Sequence, residues 1–195
     1  IKNIFLKYLP YSGYISVKQN NLKCIMDVGN LGPDFLLAHA HADTLSFELS
    51  LFGKKLIVNG GTSSYDSLMD REIERNSKSH STITINNINS SDTWDYFRVA
   101  KRAKIKNIYA KKNRDLIEIS GQHDGYNTFM SKNYVSRKII FSNNKIKVHD
   151  SVTKMQPSII SKLILHPNVK IIYSDKNLVK MKVKNSSTIT LKVID

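Results

Sequence analysis

The chain has 195 residues, of which 41% are hydrophobic, so it is long and apolar enough to bury a core and is not disordered. No apolar run approaches the roughly 20 residues needed to cross a bilayer, so the sequence predicts no membrane span. Lysine and arginine outnumber aspartate and glutamate by 30 to 16, which gives a formal charge of +14. That excess favours an anionic partner such as nucleic acid, an anionic glycan or an acidic lipid, but a lysine-rich genome with many solvated lysines explains it equally well.

The N-terminus and the single cysteine bear on completeness and redox state. The sequence opens at Ile1 without a methionine, runs directly into strand-like residues and shows no signal peptide. We therefore expect a fragment or a processed chain that forms one domain over residues 1–195. Cys24 lies between apolar neighbours in LKCIMDV, which predicts a buried strand residue, and one cysteine cannot form an internal disulfide.

Hydrophobic residues recur with a period of two along most of the chain, which is the pattern of strands with one buried face. The segments with this pattern are 22–28, 45–52, 54–60, 81–87, 115–120, 134–142, 144–152, 158–166, 168–174, 177–184 and 187–195. Turn-forming clusters at 143–144, 174–177 and 185–187 separate the later ones. Closely spaced strands with little helix between them predict an all-β fold, a layered antiparallel β-sandwich whose last sixty residues form a meander.

One segment departs from this pattern. Residues 65–79 are polar, and DSLMDREIER within them predicts about two helical turns capped by Asp66 or Ser67. We expect this short helical excursion, near residues 65–76, to be a long connection between strands. Such connections often carry the chemistry of rigid β scaffolds.

The sequence His39-Ala40-His41-Ala42-Asp43 is the first candidate for chemistry. If it is extended, alternate residues share a face, so His39, His41 and Asp43 project together at the end of a face that continues into core residues. Two such imidazoles can bind a metal, or one can bind it while the other meets a substrate. A pair of hydrogen-bonded structural histidines explains the same pattern.

Three further segments carry polar residues at turns. LIVNGGTSSY (56–65) ends a hydrophobic strand in paired glycines, which suit a tight turn or a close backbone approach. Arg75 and His80 bracket a small-residue turn before the strand ITINN. The third segment is GQHDGY (121–126). It is either part of a site or a hairpin turn in which Asp124 accepts hydrogen bonds from backbone amides.

Taken together, these segments resemble the heparinase II/III-like polysaccharide lyases. HAHADTLSFELSLFGKKLIVNGGTSSY, then R…NSKSHSTITIN, then GQHDGY, follow that family's pattern of H-G-H-A-D-x-L-S-F-E-L, D-x-G-T-x-x-Y, R-S-T-x-x-H-N-T-V and H-D-G-Y in order and spacing. The resemblance implies a bacterial enzyme with an N-terminal α-helical toroid before a β-sandwich. It also implies β-elimination on uronate-containing polysaccharides such as glycosaminoglycans, in the periplasm or outside the cell.

The resemblance assigns roles to individual residues. His39 matches the histidine that helps in proton transfer or carboxylate neutralisation, and it is the predicted catalytic residue. His41 and His80 match histidines that bind a structural Zn²⁺ in some members, but Asn59 stands where those members have an aspartate, and a neutral amide is a poorer zinc ligand. Ser81 also replaces a family asparagine. The residues predicted to bind substrate are Arg75, Tyr65 and His123; a salt bridge to Glu72 or Glu74 is the alternative for Arg75.

The family's catalytic tyrosine and its carboxylate-binding asparagine lie on the helical toroid, for which no matching residues precede Ile1. The resemblance therefore implies that this chain holds part of a cleft and that the missing helical domain and an acidic polysaccharide are its partners. We expect the isolated 195-residue chain to have little or no lyase activity.

Three other interpretations stay open at this point. H-x-H-x-D also opens the site of metallo-β-lactamase-like hydrolases, some of which act on nucleic acid, although Thr44 stands where that site has a histidine. A non-catalytic sandwich that binds an acidic glycan would use Arg102, Lys104 and Lys106 along one face, with Lys111 and Lys112 beyond. Tyr96, Phe97, Tyr109 and Tyr126 could stack on nucleic-acid bases, but no nucleic-acid-binding motif surrounds them.

Overall fold

A computed structural model describes residues 4–114, 116–142, 145–183 and 188–194. Its strands are β1 (Ile4–Leu9), β2 (Tyr14–Gln19), β3 (Leu22–Asp27), β4 (Phe47–Leu51), β5 (Lys54–Ile57), β6 (Ile83–Ile85), β7 (Thr93–Trp94), β8 (Arg98–Val99), β9 (Ile105–Asn113), β10 (Leu116–His123), β11 (Val135–Ser142), β12 (Lys145–Val152), β13 (Ile159–Ser161), β14 (Val169–Ser174), β15 (Leu178–Val183) and β16 (Thr188–Lys192). The described part has one α-helix, α1 (Leu68–Arg75), and a 3-10 turn at Ser77–Ser79. The predicted all-β sandwich with one short helix is confirmed.

Two antiparallel sheets enclose the main core. One has the order β1-β2-β3-β4-β5 and the other the order β12-β11-β10-β9. Alternate side chains of each sheet turn inward, and the core they form includes Ile15, Val17, Cys24, Met26, Phe47, Leu49, Ile117, Ile119, Ile139 and Phe141. The period of two in the sequence therefore marks the faces on which the two layers meet. Cys24 is a buried strand residue, as predicted.

The last sixty residues form a meander only in part. β14, β15 and β16 do form one, and Asp175 closes its first turn by accepting hydrogen bonds from the backbone amides of Asn177 and Leu178. β13, however, pairs with β6, about seventy-five residues earlier in the chain, and Leu165 bridges to Ile57 of β5. The predicted strand at 158–166 is thus three residues long, because its partners lie in distant parts of the sequence. The predicted turns at Asn143–Asn144 and Asn185–Ser187 lie outside the described residues.

β9 and the start of β4 show where local periodicity was misleading. β9 was not predicted because a bulge opposite Ser120–Gln122, with Asn107 at a φ of 51°, breaks its alternation. The strand expected at 45–52 begins only at Phe47, because Leu45 takes a φ of 65° and reverses the chain. The histidine segment before Leu45 is therefore not part of the strand.

Helix α1 begins and ends where the sequence indicated. The hydroxyl of Ser67 accepts a hydrogen bond from the amide of Asp70, so Ser67 is the cap. Arg71 and Arg75 lie one turn apart on the inward side, and both are buried. Nowhere in the described ranges is a helix long and apolar enough to span a membrane.

The ion pair between Arg137 and Asp150 connects the second sheet to the loops that precede β4 and β6. The Arg137 side chain on β11 is fully buried and forms a two-pronged pair with Asp150, at 2.7 and 2.8 Å. The same guanidinium also donates to the carbonyls of Leu45 and Ser81. Arg137 therefore joins the sheet to the two segments that precede β4 and β6, which carry the histidines of interest.

Candidate functional site

The histidine segment is irregular, and its two imidazoles have different surroundings. Residues 28–46 contain turns and bends rather than a strand. His39 is exposed, whereas His41 is partly buried. The expectation that His39, His41 and Asp43 project from one extended face is therefore wrong. Two separate clusters result, one buried and one exposed.

The first cluster is a buried imidazole pair, formed by His41 and His80. Nδ1 of His41 lies 3.2 Å from Nε2 of His80, and Nε2 of His41 lies 3.3 Å from the hydroxyl of Thr62. Burial is the main cause that lowers the pKa of His41 to about 4, and the neighbouring His80 lowers it further. Burial also lowers the pKa of His80 to about 4. Both rings are therefore neutral at pH 7, and one ring donates a hydrogen bond to the other.

Two neutral imidazoles this close could also share a metal ion. Zn–N bonds of about 2.0–2.1 Å place two tetrahedral ligand nitrogens roughly 3.3 Å apart, close to the separation seen here. The third expected ligand, Asn59, already has a partner, because its side-chain oxygen accepts a hydrogen bond from the amide of Gly61 at 3.0 Å. Among the described residues, no three His, Cys, Asp or Glu side chains form a group able to hold a metal. The imidazole pair therefore supplies two nitrogen donors, and zinc binding by it stays a prediction.

The second cluster is exposed and centres on His39. The hydroxyl of Tyr65 lies 3.3 Å from Nδ1 of His39, and the two rings meet edge to face. The ring of Phe97, from the turn between β7 and β8, lies 6.1 Å from His39 and stacks against Tyr65. Tyr65 and Phe97 are 49% and 44% exposed, so the cluster forms an open surface. Of the predicted site residues, His39 and Tyr65 are therefore brought together.

Arg71 connects the two clusters. Its guanidinium donates to the hydroxyl of Thr62, which contacts His41. The central carbon of the guanidinium, Cζ, lies 5.0 Å from the centre of the Tyr65 ring and 5.8 Å from that of Phe97. The Arg71 side chain is fully buried, so it lies on the protein side of the exposed rings. The sequence analysis did not single out Arg71; its only signal was its position four residues before Arg75 on a predicted helix.

Arg75 does not contact solvent in this arrangement. It is 1% exposed, and its guanidinium donates to the carbonyls of Ala40, Trp94, Asp95, Tyr96 and Arg98. Within the described residues Arg75 forms no salt bridge to Glu72 or Glu74, and its predicted substrate contact stays a prediction. Instead, Arg75 ties the histidine segment to the β7–β8 hairpin, since its planar fork can satisfy several carbonyls at once.

His123 is also buried and not exposed to a ligand. Its Nδ1 accepts a hydrogen bond from the amide of Gly125, and its Nε2 has no partner within the described part of the chain. A Cβ at Gly125 would lie 2.3 Å from the carbonyl oxygen of Ser90, so this turn requires glycine. His123, which the resemblance assigned to substrate binding, is thus a buried residue of the turn after β10, and its role in binding stays a prediction.

The basic stretch 101–106 does not form one free face. Arg102 pairs with Asp34, and Lys106 lies 3.4 Å from Asp124 and over the ring of Tyr134. Lys112 donates to the carbonyl of Ile4. Arg102, Lys106 and Lys112 therefore have partners within the domain, and a glycan-binding face along this stretch stays a prediction.

Comparisons with known proteins agree with this architecture. The model of the family described as heparinase II/III-like, C-terminal, matches residues 4–193. The fold is similar to that of a heparan sulfate lyase HepC from Pedobacter heparinus, with a TM-score of 0.74 and 19% identity over 97% of this chain and 29% of that one. It is also similar to a heparinase III, with a TM-score of 0.73 and 18% identity over 96% and 29% of the two chains, and to another heparinase III, with a TM-score of 0.78 and 16% identity over 97% and 28%. The search of curated proteins finds no match.

The fold and these comparisons define a layered β-sandwich of the kind found in heparinases. The chain belongs to the heparinase II/III-like family and corresponds to its C-terminal region. It spans less than a third of the length of the solved structures that it matches. The interpretation as a metallo-β-lactamase-like hydrolase is wrong, since that site lies between sheets flanked by long helices and α1 has eight residues.

Proposed function

We propose that this chain forms one wall of the cleft of a polysaccharide lyase that cleaves acidic, uronate-containing glycans by β-elimination. The observation that carries the proposal is the exposed His39, held by Tyr65 within a domain of a lyase family. Similar structures include enzymes named for heparan sulfate, a uronate-containing glycosaminoglycan. The formal charge of +14, from 30 basic and 16 acidic residues, suits such a polyanion.

β-Elimination requires three contributions from a site. The carboxylate next to C5 of the uronate must be neutralised, a base must remove the C5 proton, and an acid must protonate the departing glycosidic oxygen. His39 has one nitrogen near the Tyr65 hydroxyl, whereas its Nε2 has no hydrogen-bond partner among the described residues. When the Tyr65 hydroxyl donates to Nδ1, the proton of His39 lies on Nε2, where it can hydrogen-bond to the substrate carboxylate or to the leaving oxygen.

The buried residues support this wall rather than react. His41, His80 and Arg75 hold the histidine segment against α1 and the β7–β8 hairpin, which fixes the backbone on both sides of His39. Fixed positioning of a proton-transfer group contributes to catalysis because the group does not have to be ordered during the reaction. No step in this scheme passes through a metal.

The direct test is the substitution His39→Gln in the longest natural form of the protein that contains this chain. We expect kcat on heparan sulfate or an unsulfated uronate polymer to fall by about 10²- to 10⁴-fold, the range typical of a lost proton-transfer group. Turnover is followed by the absorbance of the unsaturated product. Because His39 is exposed, the free energy of unfolding should change by less than about 0.5 kcal/mol. An unchanged kcat for His39→Gln would overturn the proposal.

The isolated chain provides a second check. A segment covering 29% of a comparable lyase supplies only part of a cleft, so the 195-residue chain alone should show no measurable elimination. Robust turnover by this chain would mean that the whole catalytic set lies on the sandwich and that the cleft has been misplaced.

A non-catalytic glycan-binding domain is the second candidate. Asn59 favours it, because a neutral amide then stands where zinc-binding family members carry a carboxylate as the third ligand. Ser81 is likewise accommodated structurally, with its hydroxyl accepting from the amide of Ile164. Binding of a uronate polymer that survives His39→Ala, in a protein that shows no turnover, would support this candidate over the lyase.

A further inference from the structure

The aromatic surface beside His39 suggests a specific sugar contact. We propose that Tyr65 and Phe97 form a stacking subsite for one ring of the acidic glycan, and that the buried charge of Arg71 behind them favours a ring that carries an anionic group. This inference rests on the proposed function, since it assigns a substrate contact to the same cleft wall. We call the pair of rings the aromatic shelf.

The geometry of the aromatic shelf suits a pyranose. The two ring planes differ by 26°, their centres are 6.1 Å apart, and the Arg71 guanidinium lies over both, so the rings are nearly parallel neighbours. As whole residues, Tyr65 and Phe97 are close to half exposed, although the rings of both lie beside His39. A sugar ring has an apolar face of C–H groups, and aromatic side chains with one free face bury such groups well.

Arg71 gives the aromatic shelf an electrostatic preference. Its hydrogen bonds go to neutral groups, the Thr62 hydroxyl and the carbonyls of Ala38 and Tyr96. In the described ranges this guanidinium forms no ion pair within 4 Å, but it interacts electrostatically with the Glu74 carboxyl, whose pKa is lowered by hydrogen bonds from Ser63 and also by Arg71. Because the charge is out of water, its field reaches the surface with less screening than that of an exposed lysine.

The shelf is also held in a fixed position relative to His39. Arg71 and Arg75 both donate to the carbonyl of Tyr96, the residue before Phe97. On either side of His39, Arg71 donates to the carbonyl of Ala38 and Arg75 donates to that of Ala40. One helix face therefore fixes the distance between the stacking ring and the proton-transfer ring. A sugar stacked on the shelf would present its neighbouring glycosidic bond to His39 in a restricted set of positions.

Two other exposed aromatic residues, Phe129 and Trp94, lack these features. Phe129 is fully exposed at the tip of a loop, and no ring contact is present for it in the described structure. Trp94 is 48% exposed, but it pairs with Arg98, which is itself exposed. Phe129 is therefore the matched control for a general effect of removing surface aromatic area.

The experiment compares Phe97→Ala, Phe97→Tyr and Phe129→Ala in the longest natural form of the protein. Binding is measured by calorimetry with a uronate oligosaccharide and with the same oligosaccharide after chemical reduction of its carboxyls. We expect Phe97→Ala to weaken binding of both ligands about 10-fold, because stacking uses the C–H face and not the carboxyl. Phe97→Tyr should restore binding, Phe129→Ala should change nothing, and all forms that retain Arg71 should prefer the acidic ligand.

Kinetics separate a substrate contact from a structural role. For heparan sulfate, Phe97→Ala should raise KM about 10-fold with kcat within about 2-fold, whereas a distorted site would lower kcat as well. If wild type binds and turns over the polymer but Phe97→Ala behaves like Phe129→Ala, the shelf is not a subsite. If wild type neither binds nor cleaves any uronate polymer, the proposed function fails as a whole.

Discussion

His39 and His41, the centres of the two histidine clusters, are two residues apart in the sequence but lie in opposite environments. His39 is exposed, with one nitrogen open and aromatic rings on two sides, whereas His41, two residues later, is partly buried against His80 and Thr62. The same division separates the arginines, because Arg75 is buried among carbonyls while Arg102 lies at the surface with Asp34. The molecule thus uses identical side chains for two purposes.

This difference shows that only some of the chemically active residues in a motif belong to the functional site. In the family pattern H-x-H, R and H-D-G-Y, most of the polar side chains are turned inward to satisfy backbone carbonyls and amides of the loops. Loops that carry a site have no ladder hydrogen bonds of their own, so buried polar side chains must take that role. Variants of the buried set should therefore change stability, and variants of the exposed set should change activity or binding.

The largest effect is expected for Arg75→Met. Removing the guanidinium leaves several buried carbonyls without donors, so the free energy of unfolding should fall by about 3–5 kcal/mol. Urea unfolding checks this value. Arg75→Lys should recover only part of the loss, because an ammonium cannot reproduce the planar fork. If Arg75→Met lowers the free energy of unfolding by less than about 1 kcal/mol, Arg75 does not have the structural role assigned to it.

His123 provides a test that depends on pH. Burial lowers its pKa to about 4 from an ordinary value of 6.5. As the pH falls from 6.5 to 4, the unfolded chain binds a proton that the folded chain does not, so this residue removes stability at up to about 1.4 kcal/mol per pH unit. His123→Asn keeps an acceptor near the amide of Gly125 and should flatten stability against pH in that window. Parallel curves for the two proteins would show that the ring is accessible to protons.

Metal binding by the buried pair is expected to respond to Asn59→Asp. A carboxylate would supply the third donor that the amide withholds, so zinc affinity should rise by about 10-fold or more over wild type. Isothermal titration with zinc alone measures it. His80→Asn in the Asn59→Asp background should abolish the gain. Equal zinc affinity with and without the carboxylate would mean that the pair does not act as a metal site.

The smallest effect is expected for Arg102→Ala. Its ion pair with Asp34 has a short contact of 2.5 Å, but the aspartate side chain is 91% exposed. Solvent-exposed pairs contribute little, so the free energy of unfolding should change by less than about 1 kcal/mol. Together with Arg75→Met, this variant measures how far burial, rather than residue type, decides what an arginine does in this domain.

Much of the fold followed from local pattern. Alternation identified most of the sheet strands and the buried Cys24, and the polar run after Tyr65 located α1 and its cap Ser67. β9 was missed because its bulge at Asn107 interrupts the alternation on which such predictions depend. The pairing of β13 with β6 was missed because nothing within either segment records its distant partner.

The sequence by itself determined the family, the strand faces and the set of residue types at the candidate site, because these depend on the order of side chains along the chain. Only the tertiary structure decided which histidine is exposed, which arginine is buried and which aromatic ring lies beside His39. Those outcomes depend on contacts between segments as distant as Ala40, Arg75 and Tyr96, and on the reversal at Leu45 that keeps the histidine segment out of β4. Burial of a polar side chain is a property of its neighbours in space, which the linear pattern around that residue does not contain.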